Sequence, residues 1–210
     1  TPVGKSDEEN VEVMKSGSVP EFTFTPKTHI ELGESLDIID FEQGAKVAGY
    51  RGYYLKNEGA LLAMGIVTYA MTKLVQNGYT PMIPPTLIKG RGLFGTGYFK
   101  GAEYDARVDE IYQVATDDGE EVSTKESKFL VGTAEPSLLA YYADKTLSEE
   151  MFPIRVAGTS QCYRSEIGSY GKDTKGIYRV HEFQKVEQII ITRADIAEAD
   201  TLQDEMLRLS

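Results

Sequence analysis

Between Tyr178 and Thr192 the odd-numbered residues include Arg179, His181, Phe183, Lys185 and Glu187. Side chains on a β-strand alternate faces, so a strand here sets two cations, an imidazole, an aromatic ring and a carboxylate on one side. A core face would not carry those charges, and a merely solvated face would not place a phenylalanine among them. The odd face therefore reads as a binding surface. The preceding strand candidate, Ile154–Tyr163, runs into Arg164-Ser165-Glu166, and a loop rich in glycine, serine and lysine (Ile167–Ile177) joins the two. That loop contains Gly171-Lys172 but is not a Walker A motif, because Asp173 follows the lysine and Glu166 stands where the earlier glycine belongs. Its expected role is electrostatic: Lys172 and Lys175 on a hairpin tip could reach a polyanion held by the sheet face.

Other candidates read more blandly by themselves. Thr133-Ala134-Glu135 precedes Pro136 and suits a helix cap, with the proline in the first turn. His181, a single strand histidine beside a glutamate, reads as a hydrogen-bonded spacer. Cys162, the sole cysteine, reads as a small buried residue. One thiol and two histidines are too few for a closed Cys/His zinc site, and no intrachain disulfide can form, as in a reducing compartment.

These side chains need elements to hold them. Leu61, Met64, Val67, Met71 and Leu74 recur at helical spacing and predict a helix over Glu58–Gln76, capped by Asn57 and ended by Asn77-Gly78. Its apolar stripe suits either ordinary core or a subunit contact. Pro81, Pro84 and Pro85 then forbid a central ladder and predict an edge or interface strand. Gly90–Gly101, with five glycines, reads as a flexible loop with no strand leading directly into it. Strands are expected at Glu21–Phe24, Tyr53–Leu55, Glu110–Ala115 and Lys128–Val131, and helices at Pro136–Tyr142 and Asp195–Leu209. The expected fold class is α+β with a mostly antiparallel sheet flanked by helices.

The chain of 210 residues has 41% hydrophobic and 26% charged residues, which is globular composition with room for a sizeable core. Its formal charge of −11 argues against a surface that grips nucleic acid everywhere. The charge is uneven. Glu103–Ser127 holds nine acids against Arg107 and Lys125, a net of −7 that reads as a solvated loop or hairpin edge, whereas Tyr163–Glu187 carries +1. No uninterrupted apolar run approaches the ~18 residues of a membrane span, and the start lacks the apolar core of a signal peptide.

Arg164-Ser165-Glu166, a loop with Gly171-Lys172-Asp173-Thr174-Lys175-Gly176, and Arg179-Val180-His181-Glu182-Phe183 continuing to Glu187 together look like motif 2 of the class II aminoacyl-tRNA synthetases. The match is closest to the seryl branch of that family. Gly78–Pro85 after the long helix is similar to motif 1, Gly95-Thr96-Gly97 resembles a short family element, and Thr133-Ala134-Glu135 looks like the family's serine-recognition triplet. The resemblance covers nearly the whole chain, with motif 1 at about 58–85 and motif 2 at about 155–192.

The resemblance implies a ligase that activates L-serine with ATP and Mg²⁺ and transfers it to a serine tRNA, as a cytoplasmic homodimer. It implies Arg164 at the α-phosphate and substrate carboxylate, a role that suits a planar fork of donors. Ser165, Glu166, Arg179, Val180 and Phe183 would complete ATP binding, with Glu166 on the adenine amino group and Phe183 stacking the base, worth ~1–3 kcal/mol. Thr133, Ala134, Glu135 and Glu187 would hold serine, and Lys172, Lys175 and Lys185 would contact phosphates or the acceptor end. No metal is expected to be fixed by protein side chains alone.

The chain also departs from the family pattern. No heptad segment corresponds to the family's tRNA-binding coiled coil, and nothing after Glu187 matches the glycine–arginine motif 3, so the chain is expected to be an internal part of the catalytic domain. Weak or absent charging by these residues alone follows from that expectation. The alternatives are a ligase loading a carrier protein, or a non-catalytic relative of the same fold.

Overall fold

A computed structural model of the chain describes residues 4–12, 14–115, 123–167 and 175–210. The alternating pattern forms the longest strands, β1 (Ile154–Tyr163) and β2 (Glu182–Ile191), paired antiparallel from Ile154↔Ile191 to Tyr163↔Glu182. β2 begins at Glu182, so Arg179 and His181 lie before the strand rather than on its odd face. β3 (Thr80–Met82) adds parallel to the other side of β1 and stays at the sheet edge, where Pro81 lacks no ladder donor that the sheet needs.

The second sheet is antiparallel, with β4 (Leu87–Lys89) and β5 (Tyr112–Val114) on either side of β6 (Lys128–Leu130). β4 runs directly into the helix α1 (Gly90–Gly95), which replaces the first half of the expected loop. Gly90 is required there because the Thr124 carbonyl occupies the place of a Cβ. The two sheets meet where Tyr163 N–H donates to the Val131 carbonyl at 2.8 Å. A small pair, β7 (Ile39–Asp40) with β8 (Tyr54–Leu55), lies apart from both.

The long helix α2 (Asn57–Gln76) forms as its periodicity predicts, and Gly78 at φ 84° turns the chain out of it. Asn57 does not cap it. The cap position is Lys56, and Asn57 Nδ2 instead donates to Asp37, to its backbone carbonyl at 2.9 Å and to Oδ2 at 3.2 Å. Leu74 joins Tyr79 and Ala157 in one core cluster, but Leu61, Leu62, Met64, Ile66 and Tyr69 stay exposed, so most of the stripe is not core. By length and composition α2 is also apolar enough to cross a bilayer, which the test for an uninterrupted apolar run passes over.

Four further α-helices lie among the described residues. In α3 (His29–Ser35) Thr28 and Glu31 form a reciprocal capping box, and in α4 (Phe41–Ala48) Asp40 accepts from Gln43 N–H. Sequence reading missed α4, whose apolar positions are interrupted by Gly44. α5 (Glu135–Tyr142) takes Pro136 in its first turn, and α6 (Ile196–Leu209) is capped by Asp195. Glu21–Phe24 is not a strand: Phe22 and Phe24 contact each other at 5.3 Å and remain exposed, with no ladder partner. A second core cluster of Leu93, Phe99, Ile111 and Phe129 lies against the β4–β6–β5 sheet. The acidic stretch is not wholly solvated either. Asp109 is 1% exposed and accepts from the Lys100 and Asp105 backbone N–H groups at 3.0 and 2.8 Å. The turn at 116–122 lies outside the described residues.

Candidate active site

Within β2 the alternation holds from Phe183 through Lys185 to Glu187, and across the ladder these face Cys162, Ser160 and Gly158. Gly158 has no side chain because Leu138 of α5 packs there; a Cβ would meet Leu138 Cδ1 at 2.8 Å. That contact seats α5 on the sheet and brings the residues before it to the strand. Lys185 Nζ donates to Thr133 Oγ1 at 3.0 Å and lies 2.7 Å from Glu187 Oε2. Thr133 Oγ1 in turn donates its proton to Glu187 Oε2. The hydroxyl thus accepts from the ammonium and donates to the carboxylate, and Thr133 and Ala134 are fully buried around it.

Arg164 leaves the end of β1 with its guanidinium carbon 5.3 Å from the Phe183 ring centroid. Its backbone N–H donates to the His181 carbonyl at 2.9 Å, and His181 Nδ1 bonds back to the Arg164 carbonyl at 2.9 Å. A carbonyl only accepts, so Nδ1 carries the proton and His181 acts as a structural spacer. Arg164 also lines a pocket of about 300 Å³ with Gly97, Tyr98, Lys100, Glu110 and Gly132. Tyr98 Oη donates to Glu135 Oε2 at 3.1 Å in this region. Burial foremost, then the Glu135 carboxylate, pushes the Tyr98 phenol well above its ordinary range.

Glu166 turns back into the protein at φ 53°, and its carboxylate accepts from Arg179 Nη1 at 2.7 Å with Arg51 Nη1 4.0 Å away. Among the described residues Ser165 Oγ is buried without a hydrogen-bond partner, and Val180 is buried. Lys175 is exposed at the base of the connecting loop, whereas Lys172 lies outside the described residues. Just beyond Lys175, Ile177 N–H donates to His29 Nε2 at 3.2 Å and the Tyr178 ring meets the His29 ring at 4.3 Å. Cys162 is fully buried, as expected, and burial pushes its thiol up.

Residues 112–209 match the family model described as the tRNA synthetase class II core domain (G, H, P, S and T). The serine–tRNA ligase of Nocardia farcinica is 45% identical over 199 residues, covering 95% of this chain and 44% of that protein. That of Rubrobacter xylanophilus is 40% identical over 209 residues, 99% of this chain and 46% of its own length. The chain therefore spans a little under half the length of these curated relatives. Among solved structures, the seryl-tRNA synthetase of Pyrococcus horikoshii complexed with ATP superposes with a TM-score of 0.75 at 33% identity, over 89% of this chain and 38% of that one. The cytoplasmic serine–tRNA ligase of Naegleria fowleri in complex with AMP superposes with a TM-score of 0.83 at 30% identity, over 98% of this chain and 42% of that one. The chain belongs to the class II aminoacyl-tRNA synthetases.

In this synthetase chain the residues singled out from sequence fall into three neighbourhoods. Thr133, Lys185 and Glu187 form one hydrogen-bonded cluster; Arg164 stacks near Phe183; Glu166 and Arg179 form an ion pair. Glu135 is not part of the first cluster and is bonded to Tyr98 instead. Sequence reasoning missed Tyr98 and Arg51. Arg51 had one signal, a charged residue inside the Gly49–Gly52 turn, where it adopts φ 68° with its side chain 5% exposed. A separate pocket of about 490 Å³ between α1 and α5, lined in part by Ile88, Leu139 and Ala140, touches none of the candidate site residues.

Proposed function

We propose that this chain carries the amino-acid-activating site of a serine–tRNA ligase, which joins L-serine to ATP as seryl-adenylate and passes the seryl group to the 3′ end of tRNA(Ser). The observation that carries the reading is the Thr133–Lys185–Glu187 cluster on the same strand face as Phe183, with the Arg164 guanidinium 5.3 Å from that ring. An amino-acid subsite and a base-stacking subsite thus adjoin one arginine.

In activation the serine carboxylate oxygen attacks the α-phosphorus, and the bond to pyrophosphate breaks. Charge gathers on the phosphorus oxygens, so the chemistry asks for positioning and fixed positive charge. Arg164 is the catalytic group, bridging carboxylate and α-phosphate. Phe183 stacks the adenine, Glu166 accepts from its amino group, and the Val180 backbone and Ser165 complete the base and ribose side. Arg179, released from Glu166, turns to the triphosphate. Glu187 and Glu135 take the serine ammonium, with Thr133 and the Ala134 backbone beside them. Lys185, held between Thr133 and Glu187, balances the carboxylates, while Lys172 and Lys175 serve the phosphates or the acceptor end.

Mg²⁺ would arrive with the triphosphate. Among the described residues no group of three or more His, Cys, Asp or Glu side chains converges to hold a metal, and Mg²⁺ ordinarily keeps phosphate and water ligands. When bound it supplies charge neutralisation on the phosphates. The exposed apolar face of α2, with Leu61, Met64, Ile66 and Tyr69, supports a homodimer. A lone buried thiol suits the reducing cytoplasm.

Serine-dependent ATP–pyrophosphate exchange by the full-length gene product tests the reading, with threonine and alanine as controls. Exchange that requires serine is the expected result, and exchange indifferent to the amino acid refutes it.

A further inference from the structure

Gly97, at φ 75°, swings the chain out of α1, and Tyr98 N–H then donates to the Leu93 carbonyl at 3.1 Å. The Tyr98 ring packs on the core cluster of Leu93, Phe99, Ile111 and Phe129, which fixes where its hydroxyl points. It points at Glu135, the first residue of α5. The two carboxylates on this side of the site are balanced differently. Glu187 is offset by the Lys185 ammonium at 2.7 Å, whereas the hydrogen-bond partner of Glu135 is a neutral phenol. Among the described residues Glu135 has no ion-pair partner, so its charge is available to a cation. Arg164 lines the same pocket as Tyr98, and Gly132, against the Arg164 side chain, adds no side chain of its own to that lining.

We infer that Tyr98 is a positioning residue of the amino-acid subsite, aiming the Glu135 carboxylate at the ammonium of a small α-amino acid whose carboxylate faces Arg164. The inference rests on the serine-activating reading and extends it to a residue outside the motifs. A phenol suits the task because it fixes the direction of the carboxylate without neutralising it, as a lysine in its place would. Burial keeps the hydroxyl protonated, so it remains a donor across the physiological range. The oxygen of Glu135 that is not bonded to Tyr98 is left for the ligand.

The test compares wild type, Tyr98→Phe and Glu135→Gln by calorimetric titration with two non-reactive probes. One is 5′-O-[N-(L-seryl)sulfamoyl]adenosine, and the other is its deamino counterpart carrying 3-hydroxypropanoyl in place of seryl. Tyr98→Phe keeps the ring and is expected to weaken the seryl probe about tenfold, the scale of one hydrogen bond to a charged group. The deamino probe is expected to bind both forms within about twofold, because it lacks the ammonium. Glu135→Gln should lose more on the seryl probe and again little on the other. Equal losses on both probes would mark Tyr98 as structural and overturn the inference, as would no loss on either. Failure of wild type to bind the seryl probe at all would instead bring down the serine-activating reading, and the inference with it.

Discussion

Glu166 accepts a 2.7 Å hydrogen bond from Arg179, linking the residue just past the end of β1 to the approach into β2. The carboxylate side is 8% exposed while the guanidinium side keeps 40%, so the arginine is the partner that can leave. A purine bound over Phe183, as proposed, would meet a carboxylate already oriented by a cation. In the proposed site, binding would exchange one charge-assisted hydrogen bond for another and let Arg179 turn to the triphosphate.

From this exchange follows the behaviour of Glu166→Gln. The amide accepts more weakly and no longer repays the buried position, so KM for ATP in pyrophosphate exchange rises about 10–100-fold. KM for serine stays unchanged, because Glu166 lies away from the Thr133–Lys185–Glu187 cluster. Equal changes in both constants would contradict the assignment.

Arg164→Ala separates chemistry from folding. Its guanidinium is the positive charge proposed to bridge the two subsites, and its loss should slow adenylate formation about 100–1,000-fold. The melting temperature should stay within about 2 °C, since the backbone bonds to His181 do not need the side chain. A large drop in melting temperature with exchange intact would make Arg164 a structural residue.

Period-two alternation located Phe183, Lys185 and Glu187 because a strand obeys it wherever one face is buried. The same rule overran at Arg179 and His181, where the chain has not yet entered the ladder and the Arg164 N–H bond to the His181 carbonyl, returned by the His181 ring, sets the geometry. The 20-residue helix α2 was legible from its spacing, but its partners were not, since an exposed apolar stripe and a buried one look alike in one sequence. Glycine content hid α1: Gly90 answers the close approach of the Thr124 carbonyl and Gly97 a backbone turn at φ 75°, two demands that composition does not separate from flexibility. Tyr98 and Arg51 act through contacts 37 and more than 100 positions away in the chain, which no local pattern encodes.

Stability toward acid depends in part on Arg155, which donates to Glu205 through Nε and Nη2, both at 2.8 Å, fastening α6 to β1. Those bonds hold the Glu205 carboxyl below its ordinary range. The unfolded chain therefore binds more protons in that window, and the pair's contribution is complete above about pH 5 and lost as pH falls through the folded value. Glu205→Gln should cost about 1 kcal/mol at pH 7 and nothing at acid pH, where the wild-type carboxyl is also neutral. Denaturant unfolding at pH 7 and pH 3 reads the difference; an equal cost at both would point to packing instead.

Gly158→Ala should destabilise the chain by about 1–3 kcal/mol through overpacking against Leu138. Combining it with Leu138→Val, which retracts the crowding methyl groups, should cost less than the sum of the single changes. Urea unfolding of the four forms gives the coupling, and simple additivity would show that α5 is not seated on Gly158.

The hydrogen bond from Tyr163 N–H to the Val131 carbonyl has a consequence for how the molecule tolerates change. One residue past Tyr163 is Arg164, and two past Val131 is Thr133. The groups proposed for the phosphate and for the amino acid are therefore both surveyed from one benchmark, a few covalent bonds away on each side. Slack in either sheet shifts the two together and leaves their separation intact. Drift in the aromatic core around Phe129, or in the apolar layer around Leu74, is spent on melting temperature long before it reaches the spacing between the substrates.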